Sequence, residues 1–152
     1  MPPTARAAVT VSEKPSLTIT RRLPAPPDRC FRAWTDPQAL KQWFGPGAIE
    51  VLHAESDPRV GGSYRIRARS PGGEEHDVSG VFQEVVTDRK LVFTWAWRGT
   101  PERQSLVTVE FVPDGTATTL TLTHEQFADE GARDRHHHGW SGSLDKLAAF
   151  VA

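Results

Sequence analysis

DEGARDRHHHGWSGSLDKLAAFV, residues 129–151, sets the architecture, because here the chain leaves a period of two for a helical one. Arg133, His136, Trp140, Leu144, Leu147 and Val151 fall on one helical stripe, with Ala148 and Phe150 at its margins. Arg135, His138, Asp145 and Ala149 point the other way. Asp129 is a suitable cap for the free amides of the first turn. A helix of about 23 residues is roughly 34 Å long, enough to cross a sheet, and its stripe must be buried against one.

The segments before it supply that sheet. Ile49 to Glu55, Ser63 to Ser70, Glu75 to Val86, Leu91 to Arg98, Ser105 to Val112 and Thr118 to His124 read as strands separated by DPRVGG, PGG, TDRK, GTPE and PDGT. Links of this length cannot hold a parallel crossover, so the sheet is expected to be an antiparallel meander. A further strand, Leu17 to Leu23, stops at PAPP, whose prolines cannot donate to a ladder. Two short helices follow it. Pro27 opens the first, with Phe31 and Trp34 on one face; Asp36 and Pro37 open the second, which runs through Leu40 to Trp43. The expectation is an α+β domain over residues 16–152, with six to seven strands curved around the long C-terminal helix, preceded by a flexible leader at 1–15.

Composition narrows the partners. Lysine and arginine total 18 against 19 acidic residues, a formal charge of -1, so no global field draws the 152-residue chain to nucleic acid or an anionic membrane. No apolar run is long enough to span a bilayer. Cys30 is the single cysteine and has no internal disulfide partner, which fits a reducing cytoplasm. It reads as a small core residue, and Trp34 as packing.

Strand alternation identifies the side chains that face the helix. Leu91, Phe93, Trp95 and Trp97 share one side of their strand, as do Tyr64, Ile66 and Ala68 of theirs, while Arg65, Arg67 and Arg69 form a solvated row opposite. Leu120, Leu122 and His124 also face inward, and His136 sits one helical turn before Trp140. The two imidazoles read equally as satisfied core histidines and as groups that orient a ligand. Trp43 and Phe44, beside Gly45 and Gly47, are placed to form a lid. The candidate ligand-binding set is therefore Trp43, Phe44, Tyr64, Ile66, Phe93, Trp95, Trp97, Leu122, His124, Phe127, His136, Trp140 and Leu144.

The run His136 to His138 does not make a metal site, because consecutive helical residues diverge by about 100°. There is no G-x-S-x-G elbow, P-loop or dinucleotide fingerprint, and no carboxylate pair sits at an assigned inward position. No cofactor, metal or catalytic residue is assigned.

Five segments in order, APPDRCFRAWTDPQALKQWFGP (25–46), GGSYRIR (61–67), KLVFTWAW (90–97), LTLTHEQF (120–127) and RDRHHHGWSGSLDKL (133–147), resemble the homologues of the activator of heat-shock protein 90 ATPase. These belong to the START-like (Bet v 1-like) helix-grip superfamily. The resemblance spans about residues 16–152. It implies a sheet gripping the C-terminal helix, with a cavity between them that often accepts hydrophobic small molecules, including lipid-like and polyketide-like ones. The leading expectation is a domain that binds a small apolar molecule. A chaperone-regulator-like interaction module is the second reading, carried by the resemblance alone. The third is a cyclase- or hydrolase-type enzyme with His124 or His136 as general base. The oligomeric state is left open, a homodimer included.

Overall fold

The computed structural model describes residues 14–152. The expected leader lies outside these residues except for Lys14 and Pro15, and the Pro15 carbonyl accepts from the Phe127 amide at 3.2 Å. The elements follow in chain order as β1 (Leu17–Leu23), α1 (Pro27–Thr35), α2 (Pro37–Trp43), β2 (Glu50–Ser56), β3 (Ser63–Arg69), β4 (Glu75–Val86), β5 (Lys90–Trp97), β6 (Ser105–Asp114), β7 (Ala117–Glu125) and α3 (Glu130–Val151).

The break between α1 and α2 follows from two residues. Proline disfavours the α region for the residue before it, so Asp36 is extended and ends α1. Asp36 then accepts from the Gln38 amide at 3.0 Å, while Pro37 occupies the first turn of α2.

The seven strands form one sheet in the order β1-β7-β6-β5-β4-β3-β2. The meander β2 to β7 is antiparallel throughout, and β1 closes it by pairing with β7, from Leu17↔His124 to Leu23↔Thr118. Register shifts between Val51 and His53 and between Phe82 and Glu84 are irregularities of the kind that add local twist and bend. Curvature turns the inner face toward α3.

That inner face is the one alternation identified. Tyr64, Ile66, Ala68, Leu91, Phe93, Trp95, Leu120, Leu122 and His124 are all buried. On the other face Arg65 donates to both oxygens of Asp77, at 3.0 and 2.7 Å, which holds that carboxyl below its ordinary range. Arg69 pairs with Glu50 at 3.2 Å.

The helix corrects the reading at its margins. Asp129 caps it by accepting from Ala132 at 2.7 Å. Its buried residues are Ala132, Trp140, Ser143, Leu144, Leu147 and Val151. Arg133 belongs to the same angular sector but stays half-exposed and pairs with Asp134, since a guanidinium keeps its charge in water while its stem packs. Phe150 is exposed. No described helix is long and apolar enough to cross a membrane.

Candidate functional site

Five aromatic rings meet where α1, α2, β5 and α3 converge. Trp34 lies 4.9 Å from Trp43 and 5.7 Å from Trp140, centroid to centroid, and Trp95 lies 5.0 Å from Trp140 and 6.1 Å from Phe44. Tilted and edge contacts at these separations contribute about 0.5 to 1.5 kcal/mol each beyond the area they bury.

Beside this cluster a cavity of about 450 Å³ opens between the sheet and the N-terminal half of α3. Trp95, Trp97, Trp140 and Phe44 supply its aromatic surface, and Ile66, Ala68 and Val78 its sheet wall. The helix contributes Arg135, His136, Gly139 and Ser143, and the connection after α2 contributes Gly45, Pro46 and Ile49. Ser70 and His76 complete it, half-buried at the end of the β3-β4 hairpin and joined by a 2.8 Å hydrogen bond.

The connection from α2 to β2 is fastened to α3. Gly45 has φ +90°, a conformation that L side chains rarely adopt, and it turns the chain directly after Phe44. Lys146 donates to the carbonyls of Gly45 and Gly47, each at 2.9 Å. A methyl at Gly142 would lie 2.8 Å from Pro46, so the helix and this wall touch through glycine. Replacing Lys146 with methionine is expected to speed amide exchange over residues 45–49 roughly tenfold, with the β6 and β7 amides unaffected. Equal exchange in both proteins would show that the lysine does not hold the wall.

Both inward histidines are fully engaged by the protein. The Trp140 indole N–H donates to His124 Nδ1 at 3.0 Å, so the His124 proton sits on Nε2 and goes to Ser105 Oγ at 2.7 Å. Ser105 in turn donates to the Trp95 carbonyl at 3.2 Å. His136 has the opposite tautomer: its Nδ1–H donates to the Ala132 carbonyl at 2.7 Å, and its Nε2 accepts from Trp97 at 2.9 Å and Trp95 at 3.3 Å. Three indole N–H groups are thus satisfied by two neutral imidazoles. Burial, then repulsion from His136, whose ring is 5.1 Å away, pulls the His124 pKa down to about 2. Burial also lowers His136, opposed by its bond to Ala132 and reinforced by Arg135.

The candidate residues separate into three groups. Phe44, Ile66, Trp95, Trp97, His136 and Trp140 line the cavity. Tyr64 and Phe93 instead border a void of about 20 Å³ next to it, together with Trp34, Leu40, Ser56 and Phe82. Trp34 Nε1 and Ser56 Oγ make no hydrogen bond within the protein. Trp43, Leu122, His124, Phe127 and Leu144 border neither space. Trp43 is fully buried, with its indole N–H on the Ala33 carbonyl at 2.9 Å, and serves the core rather than a lid. Leu122 and Leu144 are also fully buried, and the Phe127 ring lies 4.2 Å from that of His124.

The candidate set lacks Arg135, Ser70, His76, Gly139 and Ser143, and also Gly45, Pro46, Ile49, Ala68 and Val78, all of which line the cavity. Helical angle alone points Arg135 away from the sheet; it is exposed, yet it also lines the cavity. Its position next to His136 was the one available signal. Among the described residues no group of three or more His, Cys, Asp or Glu side chains comes together as a metal site.

The family model described as Activator of Hsp90 ATPase homolog 1-like protein matches residues 24–152. A Chromobacterium violaceum protein of solved structure is 30% identical, with TM-score 0.80 over 90% of this chain and 97% of that one. An AHSA1 protein from Silicibacter pomeroyi is also 30% identical, with TM-score 0.79 over 89% and 96%. A Mycobacterium smegmatis protein at 20% identity shares the fold, with TM-score 0.78 over 94% and 98%. No functionally curated protein matches the chain. The described chain has a curled seven-stranded antiparallel sheet around a C-terminal helix, and with residues 24–152 matched it belongs to the family of Activator of Hsp90 ATPase homolog 1-like proteins.

Proposed function

We propose that this domain binds a small, largely apolar molecule between its sheet and the N-terminal half of α3. The observation that carries the reading is the cavity of about 450 Å³ faced by Trp95, Trp97, Trp140 and Phe44. That volume falls within the roughly 300 to 1,000 Å³ of small-molecule sites, which likewise combine apolar walls with a few polar groups. Affinity would come from apolar ligand surface leaving water, at about 25 cal/mol per Å² before the costs of association. Binding is favoured over catalysis because neither His124 nor His136 has a nitrogen free to take a substrate proton, each being engaged at both positions.

Phenylnaphthylamine, a neutral aromatic dye that fluoresces on leaving water, tests the reading. Wild-type protein should bind one equivalent saturably. Trp97→Ala should weaken binding roughly tenfold, because Trp97 is half-buried and contributes cavity wall with less core packing than Trp95 or Trp140. Failure of the wild type to bind the dye, or unaltered affinity in the variant, would count against this site.

A further inference from the structure

We infer that the cavity takes an amphiphile, a carboxylate on an apolar and mainly aromatic body, with its acidic end at the opening beside Arg135. The inference rests on the binding reading above and names the chemical class of ligand.

No aspartate or glutamate lines the cavity, and Arg135 is the one lining residue with a permanent charge. Eight of the described arginines pair with an acid of the protein. Arg135 makes neither an ion pair nor a hydrogen bond among the described residues, although Asp129 and Asp134 lie on or beside the same helix. Both of those acids are committed: Asp134 to Arg133 at 3.0 Å, and Asp129 to the Ala132 amide at 2.7 Å and to Arg103 at 3.7 Å. The Arg135 guanidinium folds back over Gly131, where its Nη1 would stand 3.3 Å and Asp129 Oδ1 3.4 Å from an added Cβ. Its fork remains available for two parallel bonds to a carboxylate.

The sheet side of the opening offers a second donor. Where His76 Nε2 carries the proton of the 2.8 Å bond to Ser70 Oγ, the serine hydroxyl hydrogen is left for an acceptor. Glu74, whose carboxylate lies 4.0 Å from His76 Nε2, is 79% exposed and does not line the cavity. A carboxylate at the opening therefore finds the Arg135 cation and the Ser70 hydroxyl among the lining residues, with Asp129 and Glu74 outside the lining. Apolar walls on the inner side reduce the screening of that attraction. The outer side, open to water, makes it dependent on salt.

Naphthoate and naphthamide have nearly the same shape and differ in charge, so calorimetric titration with both isolates the anionic term. Wild-type protein at low salt is expected to bind naphthoate roughly fivefold tighter than the amide. The preference should shrink as salt rises to about 0.5 M. Arg135→Gln should bring the ratio close to one, while Arg135→Lys keeps part of it; the residue is exposed, and circular dichroism should find both variants folded. Equal affinities in the wild type, or an undiminished preference in Arg135→Gln, would overturn the carboxylate assignment and leave the apolar-ligand reading standing. If neither naphthalene nor the neutral dye binds, both fall together.

Discussion

Moving from pH 7 to about pH 4.5 should remove roughly 2 to 3 kcal/mol of folding stability through His124. In the folded protein the ring is fully buried, accepts from Trp140 and donates to Ser105, and its pKa lies at about 2 against an ordinary 6.5. The unfolded chain therefore binds a proton near pH 6.5 that the folded chain refuses until far lower. The histidine's contribution is whole above pH 6.5 and declines as pH falls from there toward 2, at about 1.4 kcal/mol per pH unit. His136, also lowered, acts in the same direction. Asp77 is lowered too, but its contribution is lost only as pH falls below about 3.8, beneath this window. Urea unfolding at several pH values measures the slope. His124→Gln, which keeps an amide able to accept and donate, should flatten it by about one proton. An equally steep decline in that variant would refute the role given to the ring.

Trp140→Ala should be the most damaging single substitution in the cavity wall. The ring is buried among Trp34, Phe44 and Trp95, and its N–H is the donor to His124 Nδ1. Truncating a buried tryptophan costs about 3 to 5 kcal/mol, and a buried nitrogen left without its donor about 1 to 3 more. The melting temperature should fall by on the order of 10 °C or more. Trp140→Phe separates the two causes, because the ring largely remains while the hydrogen bond is lost; a loss of about 1 to 3 kcal/mol is expected. A phenylalanine variant as stable as the wild type would show that the indole–imidazole bond contributes nothing.

These effects also bear on how the binding reading is tested. Trp95 and Trp140 are core residues as well as cavity wall, so their loss confounds affinity with folding. Trp97 and Arg135 stand toward the opening, where a change in binding can be read on an intact domain.

Much of the architecture was present in the one-dimensional pattern. Alternation in KLVFTWAW and SYRIRAR assigned inward and outward faces, because side chains on a strand must alternate whatever surrounds them. Asp36-Pro37 and Asp129 marked helix boundaries through local chemistry that needs no tertiary partner. The short connections left an antiparallel meander as the only economical pairing, and the five ladders from β2 to β7 follow it.

Facing inward, however, is not the same as lining a cavity, and that difference was decided in three dimensions. Leu144, Leu147 and Val151 are buried along the C-terminal part of α3, whereas Gly139 and Ser143 line the cavity together with Ala68 and Val78. Whether a gap remains depends on the summed volume of side chains from two distant segments, which no period within either one records. The histidines obey the same limit. Sequence alone pointed His124 and His136 toward the aromatic interior, but only the packed structure brought three indole donors onto two imidazole acceptors and fixed opposite tautomers. A hydrogen bond joins partners that folding makes neighbours, and those neighbours lie 16 to 41 residues apart along the chain.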